Sequence, residues 1–220
     1  MIDMTARGRT LSTAMIGGSF DPVHLGHLHL IHCVVEHTDY QRIILVPVAL
    51  NNFKQDEQRP ASAVDRLAML RIAIGQYREI YPQDREFELA VDSCELERGG
   101  VSYTYDTVRY IYEAYPVDGS IAVVVGDDLL DGLSRWHRFS ELKKIATFIV
   151  CRRETVASIA GMPDGVTVRY IDNAVKEDSS TDIRRRLSEL PSDGDFPMDV
   201  ASLMPGKVAE YVQERHLYRT

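Results

Sequence analysis

Short apolar runs alternate along this chain with stretches whose apolar residues recur every three or four positions. The runs are Thr13–Ile16, Arg42–Val48, Phe87–Val91, Ser120–Val125, Ala146–Val150 and Val166–Ile171. They read as continuous apolar runs, as in strands buried on both faces. The periodic stretches are Leu25–His37, Ala63–Tyr77, Thr104–Ala114, Asp127–Leu133, Phe139–Lys144, Thr181–Leu190 and Pro205–Arg215. They predict helices. Strand followed by helix, repeated, predicts an α/β fold with a parallel sheet covered on both faces. Ligands of such sheets bind beyond the carboxyl ends of the strands, where the strand order reverses. The Gly17 loop, the Val48–Lys54 loop and Gly126-Asp127-Asp128 all leave strand carboxyl ends and should converge there. Pro191–Pro197 reads as an exposed polar connection. No internal repeat or low-complexity segment is visible.

The first of these loops carries the densest chemistry. Ala14-Met15-Ile16 leads into Gly17-Gly18-Ser19-Phe20-Asp21-Pro22-Val23-His24-Leu25-Gly26-His27. Glycines allow a sharp turn and a close approach to a ligand. Backbone N–H groups at the helix start that follows favour an anion, above all a phosphate. His24 and His27 are three positions apart, so a helix would place them on one face, with Leu28, Ile31 and Val35 continuing it as an apolar stripe. Imidazoles at that mouth can donate to phosphate oxygens and stabilise charge as a phosphate ester is attacked. His29 and His32 point away from this pair on a helix, so a four-ligand metal site does not form, and no protein-held metal is expected.

Composition narrows the partners. The chain has 220 residues and a net charge of −8. An acidic chain is a poor general surface for nucleic acid or anionic membrane, so a phosphate site must be a local basic pocket. No run approaches the ~18 apolar residues of a membrane span. The segment Met1–Leu11 lacks the apolar core of a signal peptide. Cys33, Cys94 and Cys151 are scattered, which fits reduced, buried thiols in a cytoplasm.

Three further segments can carry chemistry. Ser179-Ser180-Thr181-Asp182-Ile183-Arg184 opens a helix, where hydroxyls cap N–H groups or bind phosphate beside a fixed guanidinium. Gly126 permits close backbone approach of a ligand at a strand end, and Asp128 offers an acceptor beside it. Ser102-Tyr103-Thr104-Tyr105-Asp106-Thr107 offers helix-start amides to an anion, with Asp106 capping or complementing the helix, and Trp136 offers a flat stacking face.

The Gly17–His27 run resembles the GxFDPxHxGH signature of the nucleotidyltransferase superfamily, with Ser19 where Thr is usual. Ser179–Arg184 resembles the SSTxIR motif of the same superfamily, and Gly126–Asp128 its GxD segment. Ser102–Thr107 and Trp136-His137 resemble the SYTxDT and LxxWH segments of the nicotinate-nucleotide adenylyltransferase family, which acts in NAD synthesis. Glu95, Arg98-Gly99-Gly100, Asp65–Leu70 and Met204–Tyr218 also match, so the resemblance covers nearly the whole chain. The loop after the second strand usually ends Pro-His-Lys, whereas here it reads Asn51-Asn52-Phe53-Lys54. Asp178 is also unusual, at a position often apolar.

The resemblance implies a Rossmann-like, doubly wound parallel sheet in one domain over 1–220, with 178–220 a C-terminal helical part. It implies adenylyl transfer from ATP to nicotinate mononucleotide in the cytoplasm, with magnesium (Mg2+) carried on the ATP phosphates. His24 and His27 would be catalytic. ATP would meet Gly17, Gly18, Ser19, Phe20, His24, Gly26, His27, Lys54, Gly126, Asp128, Ser180, Thr181 and Arg184. The pyridine nucleotide would meet Ser102, Tyr103, Thr104 and Trp136. A homo-oligomer is compatible with this reading. The rival readings are a pantetheine-phosphate adenylyltransferase and a non-catalytic nucleotide sensor. A dehydrogenase is disfavoured because Gly17-Gly18-Ser19-Phe20 is not GxGxxG, and a P-loop kinase because the Gly-Lys-Ser/Thr run is missing. A class I aminoacyl-tRNA synthetase fragment shares the paired histidines, but this chain is too short and too acidic for tRNA.

Overall fold

A computed structural model describes residues 9–49, 61–152, 164–172, 179–190 and 196–219. Along them run β1 (Leu11–Gly18), α1 (Leu25–His37), β2 (Arg42–Pro47), α2 (Ala63–Ile80), β3 (Glu88–Val91), α3 (Cys94–Arg98), α4 (Thr104–Ala114) and β4 (Val117–Gly126). Then come a 3-10 helix (Asp127–Arg135), α5 (Phe139–Ile145), β5 (Ala146–Arg152), β6 (Val168–Asp172), α6 (Ser180–Ser188), α7 (Met198–Ala201) and α8 (Gly206–Glu214).

The strands form one sheet in the order β3-β2-β1-β4-β5-β6, and every neighbouring pair is parallel. The order reverses between β1 and β4, so their carboxyl ends border the crevice where such folds bind ligands. Strand alternation sends Ala14 and Ile16 to one face and Met15 to the other. On the first face α1, α2, α6 and α8 supply Leu28, Ile31, Met69, Leu70, Ile183 and Val208. On the second, α4, the 3-10 helix and α5 supply Val108, Ile111, Leu130, Leu133 and Leu142. Burial on both faces explains why all six residues of β2 are apolar or buried.

Two local differences from the sequence expectation have physical causes. Asp127–Leu133, expected as an ordinary helix, is the tighter 3-10 form and extends to Arg135. Its Asp and Ser side chains compete for backbone hydrogen bonds, and Gly132 adds backbone entropy, so the α form is weakened. The α3 helix was not expected, because five residues give no readable period. It ends where Gly99 and Gly100 take φ of 66° and 68°, a conformation glycine enters without penalty. The short α7 begins directly after Pro197, and residues 191–195 of the expected connection lie outside the described residues.

All three cysteines are buried and free of disulfides. Burial raises the Cys33 thiol to about 11, with the Glu36 charge adding to it, and burial beside Asp92 raises that of Cys94. Such thiols stay protonated and inert near neutral pH. Native protein should therefore react with a thiol-specific chromogenic disulfide only at its unfolding rate. The unfolded chain loses these protons first, so stability should fall between the ordinary value of 9.0 and about 11 as the pH rises. Titration of the thiols in folded protein within the mixing time at pH 8 would contradict this.

Candidate active site

The loop after β1 is closed from three sides. Val48 N donates to Gly18 O at 3.0 Å, tying the end of β2 to the end of β1. The buried Arg66 of α2 donates to Ser19 O and Val48 O, both at 2.8 Å, and to Ala49 O at 3.4 Å. Burial lowers the pKa of its guanidinium, while the Asp21 charge raises it. Phe20 is buried with φ of 48° and lays its ring on Gly18, where an added Cβ would come within 3.1 Å of Phe20 Cζ. A Cβ on Gly17 would meet nothing within 4 Å, so this glycine faces open space at the crevice.

His24 and His27 meet, but not as two residues within one helix. His24 has extended backbone angles and is the N-cap of α1, and His27 is the third residue of the helix proper. His24 Nδ1 accepts from Gly26 N at 3.1 Å, and His27 Nδ1 accepts from His24 N at 3.2 Å. The ring centroids lie 3.9 Å apart, and the Phe20 ring is 4.9 Å from that of His27. This reciprocal cap has a chemical result. A nitrogen that accepts from a backbone N–H carries no proton, so each neutral ring carries its proton on Nε2. The helix start thus sets both imidazoles as Nε2–H donors before any ligand arrives. The expectation that the first amides of α1 receive the phosphate is corrected. Leu25 N donates to Leu203 O, Gly26 N to His24 Nδ1 and His27 N to His24 O, so those donors are already engaged.

At the start of α6, Ser179 caps the helix by accepting from Asp182 N at 3.1 Å. Ser180 Oγ donates to Pro22 O at 3.0 Å. Arg184 is buried, and its Nη1 donates to Asp21 O at 2.6 Å and lies 3.9 Å from Asp21 Oδ2. Its Nη2 donates to Thr181 Oγ1 at 3.3 Å. These residues therefore join α6 to the loop after β1. Asp21, Arg66 and Tyr218 were missed as site residues. Asp21-Pro22 reads in the sequence as a turn, and no local signal shows that a carboxylate there is buried and shared.

On the other side of the crevice, α4 begins at Tyr103 with no side-chain cap, leaving its start to backbone donors and to Asp106 in its first turn. Ser102 Oγ accepts from Ala49 N at 3.3 Å, which ties this turn to the loop after β2. Thr107 Oγ1 donates to Glu95 Oε1 at 2.5 Å and receives Arg98 Nη2 at 3.2 Å, fixing the turn from behind. Tyr103 stacks on His137 at 4.2 Å, and the neighbouring Trp136 packs edge-on to Phe148 at 6.3 Å. Tyr103 thus meets His137, while the Trp136 ring lies against the core of the second face. Asp128 is exposed just beyond Gly126. Lys54 and Asp178 lie outside the described residues.

The relatives of this chain are nucleotidyltransferases. Residues 15–186 match the cytidylyltransferase-like family. Over 96% of its length the chain is 34% identical to all of a Treponema pallidum protein named "Probable nicotinate-nucleotide adenylyltransferase". A protein of the same name from Opitutus terrae is also 34% identical, over 95% of this chain and 98% of that one. Among solved structures, Plasmodium falciparum nicotinic acid mononucleotide adenylyltransferase complexed with NaAD superposes with a TM-score of 0.69. The match covers 94% of this chain and 97% of that one at 19% identity, a likeness of fold. The chain belongs to the nicotinate-nucleotide adenylyltransferase family.

The cap that His24 makes is separable from the identity of its ring. His24→Ala should lose about 1 kcal/mol of stability, the usual worth of an N-cap. His24→Asn keeps an acceptor for Gly26 N and should retain that stability, yet both variants should lose turnover. Thermal unfolding with a pyrophosphate-release assay tests this. Full turnover in the Asn variant would remove the imidazole from the chemistry.

Proposed function

We propose that this chain transfers the adenylyl group of ATP to nicotinate mononucleotide, giving nicotinate adenine dinucleotide and pyrophosphate. The observation that carries the reading is the reciprocal cap at the start of α1, in which both Nδ1 atoms accept and both rings present Nε2–H. A phosphate oxygen of the mononucleotide attacks the α-phosphorus of ATP. The bond from that phosphorus to the bridging oxygen breaks, and pyrophosphate leaves with the electron pair. No covalent nucleophile on the protein is required. Catalysis consists of positioning and of stabilising the charge that develops on the phosphate oxygens.

In this reading His24 and His27 donate to the triphosphate. Gly17, Gly18, Ser19 and Phe20 shape the floor beneath it, and Gly26 admits it closely. Ser180, Thr181 and Arg184 present the start of α6 to its far end, with Arg184 held by Asp21 and Thr181. Lys54 supplies a further cation. Gly126 and Asp128 hold the nucleoside. Magnesium arrives on the ATP phosphates as part of the substrate. Ser102, Tyr103 and Thr104 present backbone donors to the pyridine carboxylate, and Trp136 stacks on the ring.

The deciding experiment is pyrophosphate release from ATP with nicotinate mononucleotide, nicotinamide mononucleotide or phosphopantetheine. Release with phosphopantetheine alone would reassign the acceptor, and nucleotide binding without release would make the chain a sensor. Folded His27→Ala should lose about 10²-fold in kcat, the worth of one preorganised donor to a developing charge. Near-normal turnover would refute the mechanism. The uncapped start of α4 gains more from an anion than from a neutral amide. Two charge-assisted bonds should favour the nicotinate substrate by about 2–3 kcal/mol, roughly 30–200-fold in kcat/KM. Equal values for both mononucleotides would overturn the assignment of this turn.

A further inference from the structure

The backbone after α8 does more than close that helix. His216, at φ 49°, is the left-handed residue of the cap, with Leu217 N donating to Val212 O at 3.0 Å. Tyr218 lies beyond the cap and is itself left-handed at φ 66°, a strained conformation that persists only where surrounding contacts hold it. One contact of Tyr218 lies far away in the chain: its OH donates to Asp21 Oδ1 at 2.7 Å. The same oxygen accepts from Ala61 N at 3.0 Å, and Arg184 approaches Oδ2 at 3.9 Å. Asp21 is 4% exposed, so its partners are the only substitute for water. Burial, the nearby Asp21 charge and the hydrogen bond all raise the Tyr218 phenol pKa, so its proton is held as a donor at any ordinary pH.

Asp21 lies three residues before His24 in the buried stretch Phe20–His24. The peptide carbonyls of Asp21 and Pro22 are held by Arg184 and Ser180. A shift of the Asp21 carboxylate therefore moves the segment that ends in the His24 cap.

We propose that Tyr218 is a positioning residue for the nucleotide site: its hydroxyl completes the shell of Asp21 and so fixes the loop that presents His24 and His27 to ATP. This inference rests on the reading of the Gly17–His27 loop as the ATP site. Its test measures ATP affinity directly and is independent of the acceptor substrate.

The experiment measures the ATP dissociation constant by calorimetry without mononucleotide, and Tm by scanning, for four proteins. These are the wild type, Tyr218→Phe, the double variant His216→Gly/Tyr218→Phe, and Tyr77→Phe as a control. Tyr77 is buried, and its OH donates to Asp84, where α2 ends. Removing it removes an equivalent bond away from the loop after β1. Tyr218→Phe should weaken ATP binding about tenfold, the worth of a hydrogen bond to a charged group. Tyr77→Phe should lower Tm while leaving ATP affinity within about twofold. Glycine at 216 relieves backbone strain, so the double variant should recover Tm but not ATP affinity. The inference is overturned by an unchanged ATP affinity in Tyr218→Phe, by recovery of affinity together with Tm in the double variant, or by loss of the fold in both. Wild type that binds ATP without transferring to nicotinate mononucleotide would fail the proposed reaction alone. Wild type that binds no ATP would overturn both.

Discussion

A carboxylate buried in a turn must find its partners elsewhere, and Asp21 imposes this constraint on the whole first face of the sheet. No cation stands beside it in the sequence. Its shell is drawn from Ala61 just ahead of α2, Arg184 of α6 and Tyr218 after α8. Removing one partner of a buried charge is far more damaging than the pair is stabilising, because the remaining charge has no water. Elements that enter the chain at widely separated points are thereby made to meet at one loop. Arg66 extends the same logic, holding carbonyls from the loops after both β1 and β2.

The paired imidazoles illustrate how a structural device and a chemical one can be the same atoms. The bonds that cap α1 also decide which ring nitrogen bears the proton. The opposite wall of the crevice is built otherwise. There, side chains from behind, Glu95, Thr107 and Arg98, hold a helix start in place, and the start itself is left to its backbone.

Much of this was legible in the sequence. Strands buried on both faces leave continuous apolar runs, so β2 and β5 could be read from composition alone. The Gly17–His27 run announced a loop and two histidines in contact. It did not say that His24 is a cap, because a spacing of three brings side chains together in either arrangement. The polar start of α6 reads as a cap or a phosphate site, while Arg184 and Asp21 are 163 positions apart, beyond any local pattern. Tyr218 was read only as part of a closing helix, since nothing nearby marks a hydroxyl whose acceptor is at the other end of the chain.

The 3-10 form of Asp127–Arg135 has a metric consequence. Its nine residues advance about 2.0 Å each, or roughly 18 Å in all. An α-helix of the same residues would advance only about 13.5 Å. The segment thus acts as a stretched spacer between Gly126, at the end of β4, and Trp136. With about three residues per turn, one residue inserted or deleted there would displace Trp136 by about 2 Å and swing it through roughly a third of a revolution. The distance between the two ends of the crevice is therefore written in the length and winding of this one segment.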